Sequence, residues 1–88
     1  MDLKLENEAL FYLNKLINYY SHLKVYTIAH ALYERSKIYM ANKLNLYAIE
    51  DLKHSQSILD EINNQPYFED PLCLNDNIRI TLKHIALG

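Results

Sequence analysis

The stretch that decides the fold runs from Ala29 to Leu59 and reads AHALYERSKIYM, then ANKL, then NLYAIEDLKHSQSIL. On either side of the ANKL break, small and apolar residues recur every three or four positions, which is the spacing of one helix face. The two faces consist of Val25, Ala29, Leu32, Ser36 and Tyr39, and of Ala48, Leu52, Ser55, Leu59 and Ile62. Small residues that alternate with large ones let two helices approach closely. The sequence therefore predicts a helical hairpin with helices over about 25–42 and 45–63.

The segment upstream of the hairpin predicts a first helix from Leu3 to about residue 20, followed by a turn within 20–26, where the periodicity changes phase. Its apolar residues form two adjacent stripes, namely Leu3, Leu10, Leu13, Ile17 and Tyr20, and Ala9, Tyr12, Leu16, Tyr19 and Leu23. A helix with so wide an apolar face is expected to be covered on more than one flank. Two interpretations stay open: the helix is central to a bundle, or one stripe binds another protein.

Downstream of the hairpin, residues 63–71 predict a loop and a short last helix follows it. The loop is either packed down by Tyr67 and Phe68 or is a mobile recognition segment. Packing is favoured, because two adjacent aromatic rings are costly to leave in water. Asn75 or Asp76 is predicted to cap the last helix. Its buried stripe is expected to consist of Ile78, Leu82 and Ile85.

Backbone-breaking residues are scarce in this chain of 88 residues. The single glycine is Gly88, and the two prolines are Pro66 and Pro71. Polar residues must therefore set the helix ends in the hairpin: Asn42 is predicted to end the second helix, and Asn45 to cap the third. A composition with 50% hydrophobic residues suits a packed core. We expect an all-α fold in a single domain, a compact four-helix bundle of three long helices and a short C-terminal one.

The charge distribution limits the partners of the protein. The net charge is −2 at pH 7, whereas nucleic-acid-binding domains usually carry a basic face. No Lys or Arg lies between Lys53 and Arg79, while residues 9–53 are mildly basic. The acidic residues of that interval are Asp60, Glu61, Glu69, Asp70 and Asp76. This dipolar pattern suits self-association or a cationic partner, and we expect no nucleic-acid partner.

The sequence also predicts a cytoplasmic protein that has no membrane partner. No uncharged apolar run approaches the ~18 residues that a membrane span requires. The N-terminal segment has neither the basic region nor the apolar region of a secretory signal. Cys73 is the only cysteine, which excludes an internal disulfide and fits a reducing compartment.

The central hairpin resembles a tetratricopeptide repeat, a helix-turn-helix unit of about 34 residues that serves as a peptide- and protein-binding scaffold. The match covers residues 29–62 and rests on Leu32, Ser36, Tyr39, Ala48, Leu52 and Ser55. It is a single hairpin, because Asn14 stands where a preceding repeat has a small residue and Pro66 where a following repeat begins its helix. The resemblance implies a concave face made of His30, Tyr33, Lys37 and Met40. Helical spacing places the same four residues on one mixed polar and aromatic face.

Candidate catalytic and metal-binding groups are few. Glu50 and Asp51 stand four and three residues before His54, a spacing used in di-metal helical bundles, but those bundles use the motif twice. We expect a solvated Glu–His pair there. Cys73 lies near acidic residues, which disfavour its thiolate, and is expected to be an inert, partly buried cysteine. Phosphate loops and dinucleotide fingerprints need glycines that the chain lacks. We therefore expect a non-enzymatic protein without cofactor or metal.

Most of the eight tyrosines lie in the predicted helices, and Tyr is favoured at interfaces because its ring is apolar while its hydroxyl tolerates water. We predict that Tyr39 belongs to the core. The hypothesis is an adaptor, chaperone or inhibitor that binds another protein, or a second copy of itself as a homodimer. The predicted contact residues are Tyr26, His30, Tyr33, Lys37 and Met40. A small-molecule sensor with a tyrosine-lined pocket and, less favoured, a metal-binding bundle stay open as alternatives.

Overall fold

Four α-helices build the chain in the computed structural model, which describes residues 3–20, 22–66 and 68–87, and side chains from residue 6 to residue 85 within them. The helices are α1 (Leu3–Tyr20), α2 (Tyr26–Ala41), α3 (Asn45–Asn63) and α4 (Leu74–Leu87). The described residues contain no strand. The predicted all-α four-helix fold is therefore confirmed.

The centre of the fold is the α2–α3 hairpin. Its interface is lined by fully buried residues, namely Ala29, Leu32, Ser36, Ala48, Leu52 and Ser55. The Ser55 hydroxyl donates to the carbonyl oxygen of Ala29 on the facing helix at 2.7 Å, and the Ser36 hydroxyl donates to Tyr33 at 2.6 Å. Both buried hydroxyls are thus satisfied, and neither carries an unpaired polar group into the core. The small residues bring the two backbones close enough for a serine side chain to bridge them.

The turn between α2 and α3 follows from backbone hydrogen bonding. Lys43 adopts a left-handed conformation with φ of 62°, its N–H binds the Met40 carbonyl at 3.0 Å, and the Leu44 N–H binds the Tyr39 carbonyl at 2.8 Å. This pair of bonds is the Schellman arrangement that ends many helices. Asn42 ends α2 as predicted. The prediction that Asn45 caps α3 is wrong, because Leu44 occupies the cap position and makes no side-chain cap.

The start of α4 is fixed from the preceding loop. Cys73 has a φ of 51°, and the Asp70 carboxylate accepts the N–H groups of Leu74 and Asn75, both at 2.9 Å. A carboxylate in this place satisfies donors that the helix leaves free and complements the helix dipole. The prediction that Asn75 or Asp76 caps α4 is therefore wrong, since both lie within the first turn of the helix.

The loop before α4, and α4 itself, pack against α2 and α3. Phe68 packs against the core, with its ring centroid 5.9 Å from that of Tyr26, so its predicted packing is confirmed. Tyr67, predicted to pack beside it, lies outside the described residues. The predicted stripe of α4 is also confirmed: Ile78 is fully buried, and Leu82 and Ile85 pack against the core.

Helix α1 lies at the edge of the molecule. Within the described ranges it packs against α2 alone, with Ile17 as its buried anchor. The expectation that α1 is covered on more than one flank is wrong, since several aromatic side chains on its far side are exposed. Periodicity reports how much of a helix is apolar, but not how many neighbours it has. None of the helices in the described ranges combines the length and hydropathy needed to cross a bilayer.

Candidate functional site

The far side of α1 forms an open groove of about 540 Å³ lined by Phe11, Tyr12, Lys15, Leu16, Tyr19 and Tyr20. We refer to these six residues as the aromatic face of α1. Phe11, Tyr12 and Tyr19 are 71%, 66% and 73% exposed. Single exposed apolar residues are ordinary, but contiguous aromatic patches mark interaction sites more often. This face is the most prominent apolar surface of the described α1 residues.

The aromatic face of α1 is exposed because α1 has two adjacent apolar stripes and α2 covers mainly one of them. The stripe that contains Leu13 and Ile17 turns toward α2 and joins the core. In the second stripe, Leu16 is half-buried and packs against the same core, whereas Tyr12 and Tyr19 are exposed. Of the two interpretations of α1, the structure therefore excludes a central helix and leaves one stripe available. Phe11 belongs to neither predicted stripe, and only its position one turn before Lys15 indicated that it shares this face.

The groove suits a protein surface better than a small molecule. It runs along one helix, and all of its lining residues come from α1. Ligand pockets that hold small molecules bury most of the ligand between several elements. At the C-terminal end of α1, the ring centroids of Tyr19 and Tyr20 lie 5.2 Å apart, so two aromatic rings in contact border that end of the groove. A helix or a strand laid along α1 would desolvate the rings, whereas a small molecule would stay half in water.

The predicted contact residues of α2 form a second, more polar surface. Glu34 lies between two of them: its carboxylate is 3.3 Å from His30 Nε2 and 3.0 Å from Lys37 Nζ. Lys37 Nζ also lies 5.1 Å from the ring centre of Tyr33, a cation–π distance. Met40 follows one turn later and is partly buried. The structure thus places His30, Tyr33 and Lys37 together, with Glu34 as a fourth member that the sequence did not single out.

Tyr26, the fifth predicted contact residue, is engaged inside the chain. Its hydroxyl donates to the Asp70 carboxylate and accepts the N–H of Leu72 at 3.1 Å. Burial, and then the hydrogen bond to Asp70, raise the pKa of Tyr26 to about 12. The ring packs against that of Phe68 in a tilted arrangement, with 53° between the two ring planes. The hydroxyl is therefore used in hydrogen bonds within the chain, and a contact between Tyr26 and a partner stays a prediction.

A buried polar cluster joins the first three helices. Arg35 on α2 donates two hydrogen bonds to Asp51 on α3, at 2.7 and 2.6 Å, and a third to Asn14 on α1 at 2.9 Å. The Arg35 and Asp51 side chains are only 16% and 7% exposed. The hydrogen bonds to Asp51 raise the pKa of Arg35, although burial opposes them. Tyr39, predicted to be core, lies beside this cluster in a partly buried position, with its ring 5.5 Å from the Arg35 guanidinium.

The two remaining candidates for chemistry, the motif of Glu50, Asp51 and His54 and the thiol of Cys73, show no arrangement that indicates a reaction or a metal site. Asp51 is committed to Arg35, while Glu50 and His54 are exposed. In the part of the chain that the structure describes, no three His, Cys, Asp or Glu side chains are grouped to hold a metal ion. Cys73 is exposed, so the prediction that it is partly buried is wrong.

Comparisons with known proteins return no match to any family model, curated protein or solved structure. The resemblance to a tetratricopeptide repeat therefore stays a prediction. The positions that carry it, apart from Tyr39, are fully buried, as a close-packed helical hairpin of any origin requires.

Proposed function

We propose that this protein is a non-enzymatic protein-binding module, acting as an adaptor, chaperone or inhibitor, and that it binds through the aromatic face of α1. The observation that carries the proposal is the exposure of Phe11, Tyr12 and Tyr19 on one side of an edge helix. Aromatic anchors of this kind supply most of the binding energy at many interfaces. Lys15 stands among them and would orient a partner through its charge.

The alternative of a small-molecule sensor receives less support. A sensor of this size needs a tyrosine-lined cavity between helices, and the tyrosine-lined groove of α1 is open along one helix. A groove without walls on both sides removes little of a small ligand's surface from water. Protein binding, which needs a flat or gently grooved apolar surface, is the better use of the same residues.

The polar surface of α2 is proposed as a secondary contact. Its contacts, from Glu34 to His30 and to Lys37, are partly exposed to solvent, and surface contacts of this kind contribute little to stability. They are available to steer or orient a partner rather than to anchor it. The single exposed Cys73 supports a reducing compartment such as the cytoplasm. We propose no nucleic-acid partner, because the chain has a net charge of −2 and nucleic-acid-binding domains usually carry a basic surface.

The proposal is tested by capturing partners from the native host with two variants that differ only in the surface changed. Tyr12→Ser with Tyr19→Ser removes two anchors from α1, and Tyr33→Ala with Lys37→Ala changes the α2 surface. We expect the α1 variant to lose its partner by about tenfold or more in affinity. The α2 variant should lose a smaller part. Partners are identified by mass spectrometry and their affinities measured by calorimetry.

Tyr47→Ser is the matched control, because Tyr47 is another exposed tyrosine, 57% accessible, on α3. It should bind like the wild type. Circular dichroism must show the same helix content for all variants. Undiminished capture by the α1 variant would overturn the choice of surface, and loss in the α2 variant alone would transfer the role to His30, Tyr33, Lys37 and Met40.

A further inference from the structure

The aromatic face of α1 is flanked by one acidic and one basic side chain. Glu8 lies one turn before the Phe11–Tyr12 pair, and Lys15 lies one turn after it; both are exposed. Neither forms an ion pair with any side chain that the structure describes. They cannot pair with each other, since seven residues of helix separate them by about 10 Å. Spacings of three and four put all four residues on one side of α1.

This order of residues is self-complementary under a two-fold rotation. If a second α1 lies antiparallel, with the rotation axis between Phe11 and Tyr12, each residue faces the one at the mirrored position. Glu8 then faces Lys15 of the second copy, and Lys15 faces its Glu8. In the middle, Phe11 and Tyr12 face Tyr12 and Phe11. A two-fold interface repeats every contact, so one sequence supplies two ion pairs around an aromatic centre.

The exposed area is sufficient for such a pairing. An aromatic side chain offers roughly 150–250 Å². At 71%, 66% and 73% exposure, Phe11, Tyr12 and Tyr19 together leave on the order of 400 Å² per chain in water. Two copies would bury about twice this area, and Tyr20, Leu16 and the Lys15 stem bring the total to about 1,000 Å², the lower limit of a specific interface. Because α1 packs only on α2 in the described ranges, no other helix obstructs the approach.

We propose that the occupant of the aromatic face of α1 is a second copy of this chain, which packs its own α1 antiparallel to form a two-fold homodimer. The inference rests on the proposed function in one respect, namely that this face is a docking surface. It adds the partner and the register: Glu8 of each copy pairs with Lys15 of the other.

Sedimentation equilibrium of the full chain over a range of concentrations tests the inference. The wild type should be dimeric at high micromolar concentration. In Lys15→Glu, residue 15 of each copy becomes a glutamate that faces Glu8 of the other copy, so both ion pairs are replaced by repulsive pairs. Glu8→Lys has the same effect, because each new lysine faces Lys15 of the other copy. Each single variant should raise the dimer dissociation constant by about tenfold or more. The double variant, Glu8→Lys with Lys15→Glu, restores both pairs with reversed sign and should dimerise like the wild type.

Lys53→Glu is the control, because it makes the same change of charge at an exposed lysine on α3; it should leave the dimer unchanged. Three results would each overturn the inference: a wild type that stays monomeric throughout, a Lys15→Glu variant that dimerises as tightly as the wild type, or a double variant that dimerises no better than the single variants. These results are separate from partner capture: a monomer whose capture depends on Tyr12 and Tyr19 retains the proposed function and loses only the homodimer.

Discussion

The hydroxyl of Tyr26 donates a hydrogen bond to the carboxylate of Asp70, which lies 44 residues further along the chain. The same carboxylate accepts two N–H groups from the first turn of α4, and the same hydroxyl accepts the N–H of Leu72. Two side chains thus connect the beginning of α2, the acidic loop and the beginning of α4. The loop is held by specific hydrogen bonds as well as by the packing of Phe68.

Replacement of Asp70 by Asn should destabilise the fold by about 1 kcal/mol at neutral pH, because it removes the charge and one acceptor from the cap. Burial favours the neutral acid, but the hydrogen bonds from Asn75, Tyr26 and Leu74 outweigh it and lower the pKa of Asp70. A lowered folded-state pKa means that this stabilisation is present above about pH 4 and is lost as the pH falls through the folded value.

Urea denaturation of the wild type and Asp70→Asn at several pH values measures this effect. The difference between their free energies of unfolding should be constant near neutrality and should shrink below about pH 4. Glu69→Gln is the matched control, since Glu69 is the neighbouring acid, is exposed and caps nothing. A difference that does not change with pH would contradict the assigned role of the carboxylate.

Tyr26→Phe should keep the tilted ring contact with Phe68 and lose the hydroxyl, which should destabilise the fold by about 1 kcal/mol. Burial and the bond to Asp70 raise the pKa of Tyr26 to about 12. A raised folded-state pKa gives stabilisation that is complete below about pH 10 and lost as the pH rises toward the folded value. The wild type should therefore lose its advantage over Tyr26→Phe between those limits.

An absorbance titration of tyrosinate, run beside thermal unfolding, checks this expectation. The wild type should show a late transition in which a tyrosine ionises near pH 12, and Tyr26→Phe should lack it. Tyr12→Phe, at an exposed position, should retain the late transition. If the late transition persists in Tyr26→Phe, the hydrogen bond to Asp70 does not control ionisation of this hydroxyl.

Local sequence patterns were sufficient to predict the four helices and most of the buried residues of α2, α3 and α4. Leu32, Leu52 and Ile78 lie at helical spacing within their segments, and all three are fully buried. The cap of α4 could not be predicted in this way. Asp70 acts on Leu74 and Asn75 only because the intervening turn includes a left-handed Cys73, and because Tyr26 holds the carboxylate from a distant helix.

The spacing of apolar residues also does not predict which helices pack against a given helix. The stripe of α1 that includes Tyr12 and Tyr19 has the spacing of a buried face, yet no described helix covers it. Tyr39 continues the stripe of Leu32 and Ser36, but it lies near the end of α2, where Arg35 and Tyr47 contact its ring instead of the core. Spacing therefore predicts which residues share a face, whereas the exposure of that face depends on where the other helices lie.

Ala29→Leu should destabilise the protein by about 1–3 kcal/mol, because a larger side chain would force apart the α2–α3 contact. The bond from the Ser55 hydroxyl to the Ala29 carbonyl would break as well. Ala41→Leu provides the control in the same helix, since Ala41 is exposed and its change should stay within about 0.5 kcal/mol. Midpoints of denaturant unfolding compare the two variants. Equal midpoints would show that close approach of the backbones is not required.

Substitutions of Arg35 and Asp51, singly and together, can distinguish the contribution of their charge pairing to stability from the contribution of their packing. Asp51→Leu leaves the guanidinium poorly solvated and without its partner, and it should destabilise the fold by about 2–4 kcal/mol. Arg35→Met leaves the carboxylate of Asp51 unpaired at 7% side-chain exposure and should cost a similar amount. With both changes, no charge is stranded, so the double variant should lie within about 1 kcal/mol of the wild type.

A double-mutant cycle on unfolding free energies therefore should give a coupling of at least about 2 kcal/mol. Additive losses would mean that each side chain acts through its own packing and that the two short hydrogen bonds contribute little. Strong coupling would instead make the pair a device that aligns α2 with α3. Because Arg35 also donates to Asn14, the cycle should be repeated with Asn14→Ala, in which α1 loses this polar contact and depends on Ile17 and its neighbours alone. Unchanged coupling between Arg35 and Asp51 in that background would show that the hydrogen bond to Asn14 does not contribute to the strength of the pair.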